Sequence, residues 1–435
     1  MSACDVFVLG GGPAGSTIAA LLAERGWRVV VAEKERHPRF HIGESLLPLN
    51  LPLFERLGVS EQIERIGMRK HGAQFVSPQH AEPVTFDFAH AWDKTHPWAY
   101  QVRRSEFDEI LFRNCVARGA EGLEGCRVTG VEFQADGVRV EARLDDGGER
   151  LWRARFFVDA SGRDTFLANR LGLKQRNPKH SSAALYGHFT GATRLPGREA
   201  GNITVFWFEH GWFWFIPLLD GTTSVGAVCW PHYLKSRNTD PTTFLLQTIE
   251  QCPPLAERLR NAALVAPATA TGNYSYLCSR MRGERYLLLG DAFGFVDPVF
   301  SSGVMLAMNS AFQGADALDA WLRDPRTAAK PLRRFERSVR HGLAQFSWFI
   351  YRMTSPAMRR LLMGPRNTLR MEEAVLSLLA GDLFRGTPIY RSLRLFKLTY
   401  YLLSLAELRV NVAAWRRRHH LLRDAREEPD TGVRA

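Results

Sequence analysis

A glycine-rich turn between two apolar strands near the start of the chain is the feature that most limits its fold. Residues 6–9 have the pattern of a buried strand, and residues 29–32 that of a second one. Between them lies a helix that carries Ile18, Leu21 and Leu22 on one face. Strand, turn, helix and strand in thirty residues predict a Rossmann-like βαβ unit, and with it an α/β fold.

The turn itself has the spacing G-x-G-x-x-G and suits a dinucleotide. Its first glycine permits the tight turn, its second lets a pyrophosphate approach the backbone, and its third lets helix and strand pack closely. The helix start supplies N–H donors, and the acidic residue that ends the second strand can accept from ribose hydroxyls. The cofactor-binding residues predicted here are Gly10, Gly12, Pro13, Ala14, Gly15 and Glu33.

Two later strand ends indicate a flavin rather than a nicotinamide cofactor. "FFVDASG" runs into Asp159, and "YLLLGDA" runs into Asp291, which can reach the ribityl chain of a flavin. Asp159 alone would be an ordinary turn residue at the end of a strand. The three motifs together resemble the FAD-dependent monooxygenases and their relatives with the p-hydroxybenzoate hydroxylase type of fold.

Composition limits the partners of the chain. Its 435 residues carry a net charge of +12, which favours anionic partners. Nucleic acid is not expected, because no Lys/Arg run is interleaved with aromatics, and no metal site is predicted. We expect neither a signal peptide nor a membrane-spanning segment, and because the cysteines are scattered we expect a cytoplasmic protein with reduced thiols. The cysteines are Cys4, Cys115, Cys126, Cys229, Cys252 and Cys278.

The stretch "GWFWFIP" places two tryptophans on one face of a strand. Trp212 and Trp214 alternate with Phe213 and Phe215, and alternate residues of a strand face opposite sides. Pro217 ends the strand without needing a ladder donor. By itself this pattern is most often core packing.

Several motifs together resemble the flavin-dependent halogenases, especially the shorter members that act on phenols and pyrroles, often held on carrier proteins. The resemblance covers nearly the whole chain. The motif W-x-W-x-I-P is matched by Trp212, Trp214, Ile216 and Pro217. The motif F-x-x-P-x-x-S-x-G is matched by Phe295, Pro298, Ser301 and Gly303, and K-x-G-A by Lys70, Gly72 and Ala73.

The resemblance implies a reaction. Reduced FAD, supplied with help from a separate flavin reductase, would react with O2 to give a flavin hydroperoxide that oxidises chloride or bromide to hypohalous acid. A lysine would deliver this acid to an electron-rich aromatic substrate, free or tethered to an acyl carrier protein, in secondary metabolite or pigment biosynthesis. The W-x-W-x-I-P residues would separate flavin from substrate, so that the substrate is halogenated and not hydroxylated.

The resemblance also implies roles around the cofactor. Ser302 and Gly303 lie at a turn before a helix, where backbone amides and the helix dipole favour a halide ion. Pro298 and Val304 belong to the same cofactor-binding segment, and Arg104 in "YQVRRSEFDEIL" would face the flavin at a helix start.

Lys70 is the predicted catalytic residue. It would hold hypohalous acid by hydrogen bonding or become a haloamine, and a lysine suits either role because its pKa falls readily on desolvation. Arg69 beside it is the natural control. Tryptophan-acting members pair this lysine with a glutamate, for which the sequence offers no counterpart.

The predicted architecture is α/β (α+β): an FAD-binding domain over residues 1–310, with β-sheet insertions for the substrate at about 70–105 and 165–280. Residues 311–435 are predicted to be helical and to pack on the substrate side.

Near the C-terminus, apolar residues in steps of three and four predict a helix that ends in a basic segment. The helix would close over the substrate domain, or it would contact a membrane surface or an acidic carrier protein. Its apolar residues are Leu395, Leu398, Leu402, Leu405, Leu408, Val412 and Trp415, and its basic end is Arg416, Arg417, Arg418, His419 and His420.

Two other classes stay open on the sequence. A flavin hydroxylase or a prenyl reductase of the same fold would need neither W-x-W-x-I-P nor Lys70. A non-catalytic flavoprotein scaffold would bind FAD without turnover. Halide-dependent turnover separates the halogenase from both.

Overall fold

The computed structural model describes residues 2–177, 180–272, 275–384, 386–414 and 416. These residues form two compact units, each built from three segments of the chain. Unit 1 comprises Met1–Gly67, Val102–Arg176 and Tyr276–Phe346, and unit 2 comprises Met68–Gln101, Asn177–Ser275 and Ser347–Ala435.

The regular elements follow in chain order. The strands are β1 Ser2–Leu9, β2 Val29–Ala32, β3 Met68–Lys70, β4 Gly72–Val76, β5 Val84–Asp87, β6 Ala99–Gln101, β7 Glu121–Leu123, β8 Cys126–Gln134, β9 Gly137–Leu144, β10 Glu149–Asp159, β11 Lys174–Arg176, β12 Ala183–Thr190, β13 Ile203–Phe208, β14 Gly211–Pro217, β15 Thr223–Cys229, β16 Ala263–Leu264, β17 Thr269–Thr271, β18 Tyr276–Cys278, β19 Tyr286–Leu288 and β20 Gly294–Phe295. The helices are α1 Pro13–Glu24, α2 Leu51–Leu57, α3 Ser60–Ile66, α4 Arg104–Ala117, α5 Phe166–Arg170, α6 Pro231–Lys235, α7 Pro241–Glu250, α8 Pro253–Arg258, α9 Gly303–Arg323, α10 Ala329–Ile350, α11 Pro356–Met363, α12 Met371–Leu379 and α13 Ile389–Ala406.

Unit 1 is built on a seven-stranded sheet whose strand order is β7-β2-β1-β10-β9-β8, with β19 paired to β10. Strand β1 pairs parallel with both β2 and β10, and β19 continues the parallel part. The paired central parts of these strands, such as residues 6–9 of β1 and 156–158 of β10, are buried apolar runs, as expected for strands covered on both faces. Helix α1 packs against α4 and α9. The predicted Rossmann-like, mixed α/β fold is confirmed.

Unit 2 contains an eight-stranded sheet with the order β16-β12-β15-β14-β13-β4-β5, and β17 pairs with β12. The predicted meander is present as β13, β14 and β15, with a tight turn at Gly221 (φ +88°). One face of this sheet packs on α7 and α8 in an apolar core that includes Phe213 and Phe215.

The C-terminal region is helical, but its apolar residues lie differently from the sequence interpretation. Helix α13 buries Leu393, Phe396 and Tyr400. The stripe singled out by its spacing lies largely on the other side, because the helix carries apolar residues on more than one face; Leu398, Leu402, Leu405 and Leu408 are each more than half exposed. Trp415 and the basic residues 417–420 lie outside the described residues.

The structure bears on the predicted state of the cysteines and on the search for membrane-spanning segments. All six cysteines are free and buried, consistent with reduced thiols. Across the part of the chain that the structure describes, no helix combines the length and the apolar composition that crossing a bilayer requires.

Candidate active site

The glycine-rich turn of unit 1 has the steric requirements that its motif predicts. Gly10 has φ +102°, and a Cβ on it would collide with the Ala160 carbonyl. A Cβ on Gly15 would collide with the Gly10 carbonyl, so α1 can approach β1 this closely only without a side chain. At Gly12, by contrast, the nearest atom to an added Cβ is Arg39 Nη2 at 3.6 Å. The backbone at Gly12 is therefore open to a ligand, directly before α1 begins at Pro13.

Glu33 is buried at the end of β2 and is held by several donors. Its Oε2 accepts from the Gly11 N–H at 2.9 Å and from Arg39 Nη2 at 3.2 Å. Its Oε1 accepts from the Glu35 N–H at 3.1 Å. A carboxylate has about four lone-pair positions, so one remains for a further donor such as a ribose hydroxyl.

A buried charge network next to this turn was not foreseen from the sequence. Arg104, the first residue of α4, donates from Nε and Nη2 to the two oxygens of Asp108 at 2.8 and 2.9 Å and from Nη1 to the Ile42 carbonyl. Arg39 joins Asp108 to Glu33. Although burial alone would raise it, the pKa of Asp108 is held below its ordinary value by Arg104 and Arg39. The pairing therefore keeps charges of both signs fixed in the protein interior.

The side chain of Arg39 lies where the pyrophosphate of a dinucleotide would bind. Its guanidinium lies beside Gly12, and its buried Nε has no hydrogen-bond partner among the residues that the structure describes. A buried guanidinium with one N–H still without a partner, next to an open glycine backbone and a helix N-terminus, suits a phosphate group. The residues present therefore fit the pyrophosphate of FAD.

The two later aspartates of unit 1 have different environments. Asp159 is fully buried, and its oxygens accept from the Ser161 N–H at 2.9 Å and the Leu167 N–H at 2.7 Å. Burial raises its pKa, and these hydrogen bonds oppose the rise. Asp291 keeps some exposed surface, and burial raises the pKa of its carboxyl to about 6, against the lowering effect of Arg163 and Arg104. The side chain of Asp159 thus orders the turn after β10, whereas Asp291 remains available to a ligand.

The segment before α9 has the geometry of an anion site. Pro298 begins a short 3-10 helix that is capped by Asp297, and Ser301 follows with φ +56°, an uncommon conformation for a residue with a side chain. Ser302 is buried at the N-cap of α9, and a Cβ on Gly303 would meet nothing within 4 Å. The Ser302 side chain does not cap this 21-residue helix, so its first backbone amides are not satisfied by the N-cap side chain.

In unit 2, the two tryptophans of β14 share one face of the sheet, as predicted. Their ring centroids are 6.1 Å apart, and Trp214 lies 6.0 Å from Tyr186 of β12. The register adds Trp207 of β13, opposite Trp212, and Phe75 of β4, whose ring stacks on Trp207. Phe213 and Phe215 point to the opposite, apolar core. One face of the sheet is thus a continuous aromatic surface.

Gly226 fixes the position of Trp214 in a way that the motif does not reveal. It pairs with Trp214 across β14 and β15, and the indole lies so close over it that any Cβ would collide with the ring. Trp214 Nε1 donates to Ser224 Oγ at 3.1 Å. Ile216 and Pro217 complete β14 before the turn at Gly221. The indole is therefore held by a hydrogen bond and a glycine platform.

Lys70 ends β3 and is 1% exposed. Its Nζ lies 5.4 Å from the centroid of the Phe88 ring, and burial lowers its pKa to about 7. Its neighbour Arg69 points to the other face of the strand and is exposed, with its guanidinium 5.4 Å from the Trp98 ring. Lys70 is thus a lysine that can change its charge at neutral pH, which an exposed lysine does not do.

The backbone after Lys70 is held by groups that the motif does not contain. Asn202 is buried, and its Oδ1 accepts from the N–H groups of His71 and Gly72 at 2.9 and 2.8 Å. A Cβ on Gly72 would collide with the Phe86 carbonyl of the neighbouring strand. The glycine of K-x-G-A is therefore required by strand packing. Asn202, which follows the short 3-10 helix Gly197–Gly201, has no motif around it by which the sequence could have identified it.

Comparison with known proteins first defines the class. A family model described as "FAD binding domain" matches residues 3–332, and the chain belongs to that family. The structure of a flavoprotein/dehydrogenase from Cytophaga hutchinsonii superposes with a TM-score of 0.85 at 26% identity, covering 93% of this chain and 100% of that chain.

The relatives then define the enzyme family. The chain is 30% identical to the 1H-pyrrole-2-carbonyl-(peptidyl-carrier protein) chlorinase of Pseudomonas fluorescens, over 88% of this chain and 90% of the relative. It is 34% identical to the myxobacterial chondrochloren halogenase CndH, whose structure superposes with a TM-score of 0.78 over 93% of this chain and 97% of that chain. The chain belongs to the flavin-dependent halogenases. It is accordingly an oxidoreductase that uses FAD, O2 and a halide ion.

Proposed function

We propose that this halogenase transfers chlorine or bromine to an electron-rich aromatic ring of phenol or pyrrole type, and that Lys70 delivers the halogen. The observation that carries the proposal is the buried Lys70, whose pKa of about 7 lets it donate or accept a proton at neutral pH. A surface lysine would stay charged there.

FAD, when bound, supplies the oxidation of halide to hypohalous acid at the expense of O2. The residues proposed to hold it are the glycine-rich turn, Glu33, Arg39, Arg104 and Asp291, with Asp159 as a positioning residue for its turn. Pro298 and Val304 belong to the same cofactor-binding segment. A separate flavin reductase is proposed to provide the reduced cofactor.

The halide ion is proposed to bind at Ser302 and Gly303. The support is the open space beside Gly303 and the uncapped amides at the start of α9. An anion there is favoured by the helix dipole.

The aromatic face of the unit 2 sheet is proposed to exclude the substrate from direct reaction with the cofactor. Trp212 and Trp214, followed by Ile216 and Pro217, would do this because their rings are rigidly held. If these rings are removed, we expect the substrate to be oxygenated by the cofactor and not halogenated.

Lys70 is proposed to act in one of two protonation states, which pH can distinguish. As an ammonium ion it would hold hypohalous acid by a hydrogen bond, so the halogenated product per halide oxidised would fall as pH rises above about 7. As a neutral amine it would form a haloamine, and the same ratio would rise with pH.

The substrate is proposed to be presented on a carrier protein. The support is the chlorinase from Pseudomonas fluorescens, whose name specifies a carrier-bound pyrrole. The net charge of +12 suits an acidic carrier. The exposed leucines of α13 could also contact an anionic bilayer, and flotation with anionic vesicles tests that contact directly.

The test is halogenation by purified enzyme with FAD, a flavin reductase, NADH, O2 and either bromide or chloride. The acceptors are an activated phenol and a carrier-bound pyrrole-2-carbonyl thioester, and products are identified by mass spectrometry. In Lys70→Met we expect the halogenated product to fall by about 100-fold or more, while halide oxidation continues. Arg69→Met, which changes the neighbouring but outward-facing cation, is the matched control and should stay within about twofold of wild type.

The outcomes separate the competing functions. An oxygenated product without halogen would indicate a hydroxylase. Halogenated product that survives in Lys70→Met would show that hypohalous acid leaks to the substrate without the lysine. Flavin binding without any turnover would favour a scaffold.

A further inference from the structure

Gln101 is a fully buried amide whose hydrogen bonding is incomplete. It ends β6 in unit 2 and has no exposed surface. Its Oε1 finds no donor anywhere in the described part of the chain. A buried acceptor without a partner costs roughly 1–3 kcal/mol, so such an atom calls for an explanation.

The orientation of this amide is fixed by its other end. Nε2 of Gln101 lies 3.1 Å from the Gly201 carbonyl oxygen. A carbonyl can only accept, so the end of the amide that faces Gly201 must be the NH2 group. The free end is therefore the oxygen, and the unsatisfied group is an acceptor.

The strand register places this acceptor on the same face as Lys70. Strands β3 and β6 are antiparallel, with Met68 opposite Gln101 and Lys70 opposite Ala99. Opposed residues of such a pair point to the same side, so Lys70 and Gln101 are diagonal neighbours. Diagonal neighbours are about 7–8 Å apart, within reach of long side chains. A small molecule with one donor and one acceptor can therefore bridge the lysine and the amide.

We propose that Gln101 is the second binding group for hypohalous acid and accepts its O–H, while Lys70 donates to its oxygen. The inference rests on the function proposed above and identifies a further residue of that same site. Hypohalous acid has one O–H donor and oxygen lone pairs, which match one acceptor and one ammonium donor. Both hydrogen bonds go to oxygen, so the halogen atom is left free to face the aromatic ring.

The step balances with these two residues. The ring carbon takes the halogen, the electrons of the O–X bond stay on oxygen, and that oxygen receives a proton from Lys70 and leaves as water. The ring carbon then releases its proton to the neutral Lys70 amine, which restores the ammonium ion. Aromatic C–H and hypohalous acid have become aromatic C–X and water, and Gln101 has held the acid without changing its own protonation.

A neutral acceptor at this position is consistent with the state of the lysine. A carboxylate beside Lys70 would stabilise the ammonium form and raise its pKa. The amide accepts the same hydrogen bond without that charge, and the pKa of Lys70 stays lowered by burial.

Three variants test the proposal. Gln101→Met has a similar length but neither donor nor acceptor, and Gln101→Glu keeps the acceptor and loses the donor to Gly201. Thr223→Val is the matched control, because it removes a buried hydroxyl that has no partner in the described residues and lies on the Phe213 and Phe215 face of the eight-stranded sheet. Each enzyme is assayed for halogenated product and for hypohalous acid caught by the enol trap monochlorodimedone, both per flavin oxidised, and thermal unfolding of the FAD-bound enzyme is recorded.

We expect Gln101→Met to lower the ratio of product to trapped halogen by about tenfold, the loss of one hydrogen bond to a reacting group. Gln101→Glu should recover most of that ratio and move its pH dependence upward, because the carboxylate raises the pKa of Lys70. Thr223→Val should match wild type.

Other results would overturn the proposal. An unchanged ratio in Gln101→Met would mean that Oε1 binds only a buried water molecule. An equal loss in the Met and Glu variants would show that only the bond to Gly201 matters. A parallel fall of product and trapped halogen would place Gln101 in halide oxidation. Wild-type enzyme that yields neither product nor trapped halogen would overturn the proposed function itself.

Discussion

The cofactor turn of unit 1 and the lysine strand of unit 2 place charged groups in the protein interior by opposite means. Around Glu33 and Arg39, buried charges of both signs are paired, and the pKa of Asp108 is held low by its arginine partners. In unit 2, the Nζ of Lys70 lies beside the Phe88 ring, and burial lowers the pKa of the lysine to about 7. Paired charges are fixed and suit the binding of an anionic cofactor, whereas a desolvated lysine can exchange a proton.

The largest expected loss of stability and of cofactor binding comes from a change in the cofactor turn of unit 1. Gly15→Ala places a Cβ against the Gly10 carbonyl, which cannot yield without moving β1 or α1. We expect a loss of about 3 kcal/mol in the free energy of unfolding, typical of severe overpacking. FAD affinity should fall by at least about 100-fold, equivalent to about 2.7 kcal/mol. Denaturant unfolding and fluorescence titration with FAD measure the two effects.

Gly12→Ala is the matched control for this change. Its Cβ would meet only Arg39 Nη2 at 3.6 Å, and the backbone of Gly12 (φ −80°) is open to any residue. The free energy of unfolding should change by less than about 1 kcal/mol, while FAD affinity drops about tenfold because the methyl group occupies the approach to the pyrophosphate. If both variants bound FAD like wild type, the cofactor assignment of this turn would be wrong.

The next prediction concerns the desolvated ammonium group of Lys70. The pKa of Lys70 is lowered in the folded state from 10.5 to about 7, so folding disfavours its protonated form. The penalty is complete below pH 7 and is at most about 5 kcal/mol. Lys70→Met should therefore raise the free energy of unfolding at pH 6–7, as measured by urea unfolding of the two enzymes.

The sign of the pH dependence follows from the same shift. Between pH 7 and pH 10.5 the unfolded state binds more protons than the folded state at this position, so the wild type gains stability as pH rises. The advantage of Lys70→Met should shrink over that window and vanish near its upper end. A variant that is less stable than wild type at pH 6.5 would show that partners stabilise the Lys70 ammonium.

The parts of the site that the sequence predicted are those that depend on local backbone geometry. The glycine-rich turn was predictable because its steric requirements act within a few residues, and the structure shows the collisions at Gly10 and Gly15 that the motif implies. The common face of Trp212 and Trp214 was predictable because a strand has a period of two. Both inferences needed only local geometry.

The supporting residues were not predictable, because strand pairing and tertiary contacts bring them together. Asn202 accepts from the His71 N–H across 131 residues of sequence, and Gln101 donates to the Gly201 carbonyl across 100 residues. Gly226 is defined by the register of β15 on β14. Which face of α13 is buried could not be predicted for a related reason, since apolar spacing identifies a helix but not which of two apolar faces the neighbours cover.

The smallest expected effect concerns the position of the Trp214 indole on the aromatic face. It tests whether this ring must be held in place to separate the substrate from the cofactor. Gly226→Ala would put a methyl group into the Trp214 indole, and we expect a loss of about 2 kcal/mol in the free energy of unfolding with unchanged FAD affinity. Trp214→Phe in the same chain removes the outer ring that collides, so the double variant should recover most of that stability, a coupling that a double-mutant cycle measures directly. Additive losses of stability in the two single variants would mean that the backbone of β15 requires Gly226.

If the double variant regains stability but forms oxygenated product, the Trp214 indole itself excludes the substrate from the cofactor. Gly226 then serves only to hold the indole in position.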